Sequence, residues 1–203
     1  MDWKFPFNTT EPTTEGFVKQ PFSAGVNLMT AALLLRDTNK YTGATKVALA
    51  SLGLFEIMHV LSHSFHLSTT LPHTLSVHIA GYLMSLSLGY LLFKKFGYPT
   101  SLWITIIAIS IIVDIYMSRR QGVAMVFTGL LVMALLTLAY LSKLGSIQRN
   151  TLYKLYIGIG ALFTCFVLEG AYNTILKQHY FHVFIEFLGM YLFMLLKKFI
   201  VAI

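Results

Sequence analysis

The sequence predicts an all-α, polytopic membrane protein folded as a single seven-transmembrane-helix bundle, and three observations predict it. The 203-residue chain is 56% apolar and only 11% charged, with a mean hydropathy of +0.70, far from a soluble composition. Apolar runs of about 17 to 24 residues recur along it, the length that crosses a hydrocarbon core of about 30 Å at 1.5 Å per residue. The breaks between runs are short and polar, which makes neighbouring helices antiparallel and leaves no room for a soluble domain.

Residues 1–20 form a polar N-terminal segment with two prolines and four threonines. They lack the charged-then-apolar pattern of a cleavable signal peptide. Asn8-Thr9-Thr10 is a glycosylation sequon, usable only if this end is translocated and otherwise a chance match. Residues 21–203 form the membrane domain, with spans at about 21–36, 44–62, 74–93, 99–117, 122–142, 152–175 and 181–201. Span 1 is short and rich in small residues (PFSAGVNLMTAALLL). Span 2 ends in the histidine-rich run FEIMHVLSHSFH, and span 3 opens through the polar turn that carries His73 and His78. Span 4 has Asp114 near its end, and Arg119 and Arg120 precede span 5. Span 6 has Glu169 and Asn173 near its end, and the aromatic span 7 opens with His182 and Glu186.

The net charge of +7 does not call for nucleic acid as a partner, because Lys and Arg sit between spans, where they meet anionic lipid head groups and set topology. One side carries Arg36, Lys40, Lys46, Lys94, Lys95, Lys143, Arg149, Lys154, Lys197 and Lys198; the other carries Lys4, Lys19, Arg119, Arg120 and Lys177. The bias predicts an N-terminus outside or lumenal and a cytosolic C-terminus. Cys165 is the only cysteine, so no intrachain disulfide forms and the redox compartment stays open.

The stretch from Glu56 to His78 holds five of the seven histidines. On a helix advancing about 100° per residue, Glu56, His59, His63 and His66 fall at about 0°, −60°, −20° and −80°. One carboxylate and three imidazoles thus share one narrow face. Ionisable groups in an apolar span are costly and face a bundle interior, a partner or a metal. With seven alternating crossings, these histidines, Asp114, Glu169, Asn173, His179, His182 and Glu186 all belong to the same membrane side. The opposite half has no histidine and no intramembrane carboxylate, which fits one polar site opening to one side.

His59-x3-His63 places two imidazoles one turn apart, the spacing by which a helix offers two nitrogens to a transition metal. His182-x3-Glu186 offers one nitrogen and one carboxylate in the same way. This donor set suits zinc, with iron or manganese as alternatives. The bland reading is that boundary histidines bind water, head groups or backbone carbonyls. Glu56, the deepest member of the face, is a candidate general base, ligand or partner of His59, or else a helix–helix hydrogen bond. Ser62, one turn before His66, is a candidate oxyanion donor, although serines in membrane helices commonly bond back to their own backbone. His66 is a candidate ligand or proton shuttle. His78 and Tyr82 on span 3, and Glu169 with Asn173 on span 6, are candidates to surround and orient the ligands, or are structural. Asp114 and Ser118 read as interfacial. No Gly-rich phosphate loop or nucleophile elbow appears. Span 7 also has no mid-depth lysine for a retinal Schiff base.

Several of these features together resemble the superfamily of seven-helix membrane hydrolases that includes the alkaline ceramidases and adiponectin receptors. The entry EGFVKQPFSAGVNL, with Glu15, Gln20, Pro21, Ser23 and Asn27, resembles the entry to helix 1 in its bacterial ceramidase-like members. Ser62-x3-His66 is similar to the Ser-x3-His pattern of helix 2. The pair in span 7 resembles a His-x3-His of helix 7, with Glu186 at the second position, and His78 stands roughly where the family has an aspartate. The resemblance implies zinc held by three histidines, with a serine and a helix 3 aspartate nearby, acting on lipid amides.

The reading that follows is a zinc-dependent membrane-embedded hydrolase of a lipid amide or ester. Its metal set is drawn from His59, His63, His182 and Glu186, with Glu56, Ser62 and His66 in catalytic roles. Membrane lipids are the partners, and one of them is the substrate. Two other readings stay open: a haem- or metal-binding or transporting membrane protein, and a non-catalytic seven-helix scaffold or receptor.

Overall fold

The computed structural model describes residues 14–65, 71–117, 134–142, 144–176 and 181–203, and among these every regular element is helical and no strand occurs. The helices are α1 (Pro21–Leu35), α2 (Gly43–Phe65), α3 (Leu71–Phe96), α4 (Thr100–Met117), α5 (helical at 134–141), α6 (Ser146–Leu176) and α7 (Phe181–Ala202), with a 3-10 turn at Thr38–Lys40.

Local chemistry sets several of the ends. Pro21 starts α1, where its missing N–H costs nothing. Gly43, at φ 58°, turns the chain into α2. The end of α3 is a Schellman motif. Gly97 takes φ 73°, the Tyr98 N–H donates to the Phe93 carbonyl at 3.0 Å, and the two rings pack edge-on with centroids 5.6 Å apart. Pro72 lies in the first turn of α3, so the helix begins at Leu71, before the expected residue 74. Helix α6 also starts earlier than expected, at Ser146. Its polar first turn is held by Arg149, whose Nε donates to the Leu144 carbonyl at 2.6 Å.

Helix α2 packs against α1, α3 and α7; α7 also packs on α1 and α6, and α3 on α4. Small residues on α1 (Ser23, Ala24, Ala31) are buried and allow close approach. The apolar core is drawn from Leu34, Leu49, Leu52, Leu88, Phe93, Trp103, Leu135, Leu152 and Phe199. Apart from Leu135 on α5, these come from the C-terminal ends of α1, α3 and α7 and the N-terminal halves of α2, α4 and α6, so they share one end of the bundle. At that end Lys197 donates to the Leu33 carbonyl and lies 3.5 Å from Asp37. The polar side chains Gln20, Asn27, Glu56 and His182 are buried toward the other end. Glu186 and Phe199 are thirteen residues apart on α7, which is about 20 Å of helix.

Among the described residues one helix, Gly43–Phe65, is long and apolar enough to cross a membrane, and Thr100–Ile109 is a shorter apolar stretch. Large apolar side chains also face outward around the bundle, among them Leu28, Leu54, Leu83, Ile109, Leu141 and Ile157.

Candidate metal centre

The site forms where the C-terminal end of α2 meets the N-terminal ends of α1 and α7. His182 and Glu186 lie one turn apart on α7, which puts both on the face that α2 covers. His182 Nε2 is 3.0 Å from Glu186 Oε1. His63 of α2 brings its Nε2 to 3.4 Å from the same oxygen, and the two imidazoles tilt at 52° with centroids 6.0 Å apart. One ligand atom from each of His63, His182 and Glu186 lies within 4.8 Å of the other two. The side chains are only 15%, 7% and 14% exposed, so the three donors are largely withdrawn from solvent.

Gln20, the residue before α1, sets the chemistry of His63. Its side-chain oxygen lies 2.8 Å from His63 Nδ1. An amide oxygen only accepts, so Nδ1 carries a proton, and in the neutral ring Nε2 turns its lone pair toward Glu186 and His182.

This donor set fits a metal ion. Two nitrogens and a carboxylate oxygen, each about 2.0–2.2 Å from a tetrahedral zinc, are separated from one another by about 3.4 Å. The two separations at Glu186, 3.0 and 3.4 Å, lie just below and at that value. The cluster can therefore hold a metal ion with small side-chain adjustments.

Beneath it on α2, Glu56 is 2% exposed, and its Oε1 lies 3.6 Å from His59 Nδ1, an ion-pair distance longer than a hydrogen bond. His59 packs edge-on to Phe55, centroids 4.5 Å apart, and Phe55 stacks on Phe193 of α7 at 6.2 Å. His59 thus faces Glu56, and the three-donor group draws its α2 member from His63.

The chain matches no family model, no curated protein and no solved structure. The functional reading therefore rests on the geometry and the chemistry of the residues.

Of the other candidates, Ser62 is half-buried beside His63. Tyr82 packs against the apolar core. His66, and the side chains of His78, Glu169 and Asn173, lie outside the described residues. Gln20 is the site residue that periodicity alone does not single out. Its sequence signal is a glutamine directly before the proline that opens span 1, and that signal does not point to histidine.

Proposed function

We propose that this chain is a multi-pass membrane protein and a zinc-dependent hydrolase of a lipid amide or ester, remotely related to the ceramidase-like membrane hydrolases. The observation that carries the reading is the convergence of His63, His182 and Glu186, from helices distant in sequence, around one point. Support for the membrane comes from the apolar residues that face outward around the bundle, an arrangement suited to lipid and costly in water. Orientation with the N-terminus outside or lumenal follows from the Lys/Arg bias and places the site near that surface.

Within this reading His63, His182 and Glu186 hold the cation, which when bound supplies Lewis acidity toward a carbonyl. Three protein donors leave room for a substrate, as catalytic zinc sites do. Glu56, buried one turn below His59, is the group that takes up and returns a proton, and His59 orients it. Ser62 donates to the developing oxyanion. A lipid enters sideways from the bilayer and presents its carbonyl at the depth of Glu186.

A haem-binding reading fits less well. Glu186 Oε1 lies within 3.4 Å of both imidazole nitrogens, in the space a porphyrin between two axial histidines needs.

The test is elemental analysis of detergent-purified protein, followed by assay against N-acyl and O-acyl lipids before and after chelation. The expected result is about one zinc per chain and hydrolysis that chelation removes and zinc restores. A chain without bound metal, or with hydrolysis indifferent to chelator, overturns the reading.

A further inference from the structure

The donor group connects to the N-terminal segment through Gln20, which holds His63 at two points. Gln20 is 2% exposed. Its Oε1 takes the Nδ1–H of His63 at 2.8 Å, and its backbone N–H donates to the carbonyl of His63 itself at 3.0 Å. The preceding Lys19 N–H donates to the Ser64 carbonyl at 2.9 Å. These two carbonyls belong to the last described turn of α2. Residues 19 and 20 therefore bind this turn from outside, and Gln20 grips both the main chain and the ring of the same histidine. The segment is folded on itself as well. Thr14 N–H donates to the Lys19 carbonyl at 2.7 Å and its hydroxyl to the Val18 carbonyl at 2.8 Å. Phe17 meets Phe65 edge-on, centroids 5.6 Å apart.

We propose that Gln20 is a positioning residue for the metal centre, and that docking of the segment Thr14–Gln20 onto the end of α2 is coupled to metal occupancy. This rests on the reading of His63, His182 and Glu186 as metal ligands. Tautomer choice is the link. An acceptor on Nδ1 keeps the lone pair on Nε2 and makes that nitrogen a better ligand. Conversely, a cation on Nε2 withdraws electron density from the ring and makes Nδ1–H a stronger donor to Gln20. Because coupling between two binding events is reciprocal, whatever the segment contributes to metal affinity, the metal returns as hold on the segment. The N-terminal segment is thus a clasp that tightens when the site is loaded and loosens when it is empty.

Two variants separate this role from a merely structural one. Gln20→Leu keeps the volume and removes the acceptor; Gln20→Glu keeps an acceptor oxygen. Zinc affinity is measured by competition with a chromophoric chelator, and docking by the rate of tryptic cleavage after Lys19 with and without zinc. Gln20→Leu is expected to weaken zinc binding by about 10- to 100-fold and to abolish the protection that zinc gives at Lys19. Gln20→Glu stays within a few-fold of the parent and keeps that protection. Equal zinc affinity in Gln20→Leu and parent overturns the positioning role, and cleavage indifferent to zinc in the parent overturns the coupling. Imidazole nitrogen-15 shifts of His63 in the metal-free protein read the same contact without zinc. The parent is expected to hold the proton on Nδ1 and Gln20→Leu to mix tautomers, and identical shifts overturn the Gln20 assignment. A parent that binds no zinc yet shows the tautomer difference overturns the metal reading and the coupling to it, and leaves the ring contact standing.

Discussion

Nε2 of His182 and Oε1 of Glu186 lie 3.0 Å apart across one turn of α7, and that single turn gives the site its chemistry. One helix supplies a nitrogen and an oxygen at a fixed spacing, so the second helix needs to add only one donor. His63 adds it, 3.4 Å from the same oxygen. Because α2 and α7 run in opposite directions, the third donor sits at the end of α2, beside the chain that enters α1.

Replacing His182 removes one of three donors. His182→Ala is expected to lower bound zinc from about one per chain to a small fraction, and to weaken affinity by more than the about 10- to 100-fold that an outer partner is worth. In the parent, zinc at 100 times its Kd raises apparent stability by about 2.7 kcal/mol. Thermal unfolding with and without zinc checks both points: the shift seen in the parent vanishes in His182→Ala. Unchanged zinc content removes His182 from the ligand set.

Glu56 is buried beside His59 and contributes no atom to the three-donor group. Glu56→Gln preserves its shape and removes its capacity to take up a proton. The expected outcome is a fall in turnover of about 10²- to 10⁴-fold with zinc content unchanged. If Glu56 serves only as a contact between helices, turnover stays at the parental level and only the unfolding midpoint moves.

Much of this arrangement is legible in the sequence, and the part that is not has a physical cause. The i,i+4 spacing of His182 and Glu186 is a property of one helix and is read directly from the chain. The choice among His59, His63 and His66 is not such a property. They spread over only about 60° of the same helix face, and what selects among them is the rotation of α2 against α7, which is decided by packing. His63 is selected because Glu186 and Gln20 both reach it, while His59 is turned to Glu56. The role of Gln20 depends on how the segment before α1 folds back over α2, and no periodicity records that. Gly97 sets the end of α3, past the expected residue 93, because only glycine is at ease at φ 73°. The start of α6 is hidden, because SIQRN has no apolar period to read.

Among the described glycines, Gly89 leaves the least room for a side chain. A Cβ built there meets Trp103 Nε1 at 1.7 Å and Cε2 at 1.9 Å, and the indole is fully buried against Phe93, 5.6 Å away. Gly89→Ala must drive a rigid ring out of a packed site, a cost of about 1–3 kcal/mol. At Gly53 the same addition meets the side chain of Leu35, with Cδ2 and Cγ at 2.5 Å, and that side chain is only half-buried. Gly53→Ala is therefore expected to cost less. Unfolding midpoints check the order, and in a Trp3→Phe background the emission of Trp103 is expected to shift to the red in Gly89→Ala alone.

Asp37, between α1 and α2, ties the other end of the bundle together. Its carboxylate lies 2.8 Å from Lys40, 3.3 Å from Arg36 and 3.5 Å from Lys197. The hydrogen bond from Lys40, aided by the charges of Lys40 and Arg36 and opposed by desolvation, holds its pKa at about 2, below the ordinary 3.8. A carboxyl whose pKa falls on folding binds fewer protons in the folded state, so stability rises with pH through that window. The contribution is complete above about pH 4 and is lost as pH falls through about 2. Asp37→Asn never has it. Unfolding midpoints measured in detergent from pH 6 to pH 2 are expected to place Asp37→Asn below the parent at the upper end, with the two curves meeting at the lower. Exposure and salt keep the gap small, and added salt is expected to narrow it further. A gap that persists unchanged at pH 2 would mean that Asp37 acts through its shape and hydrogen bonds, with its charge contributing nothing.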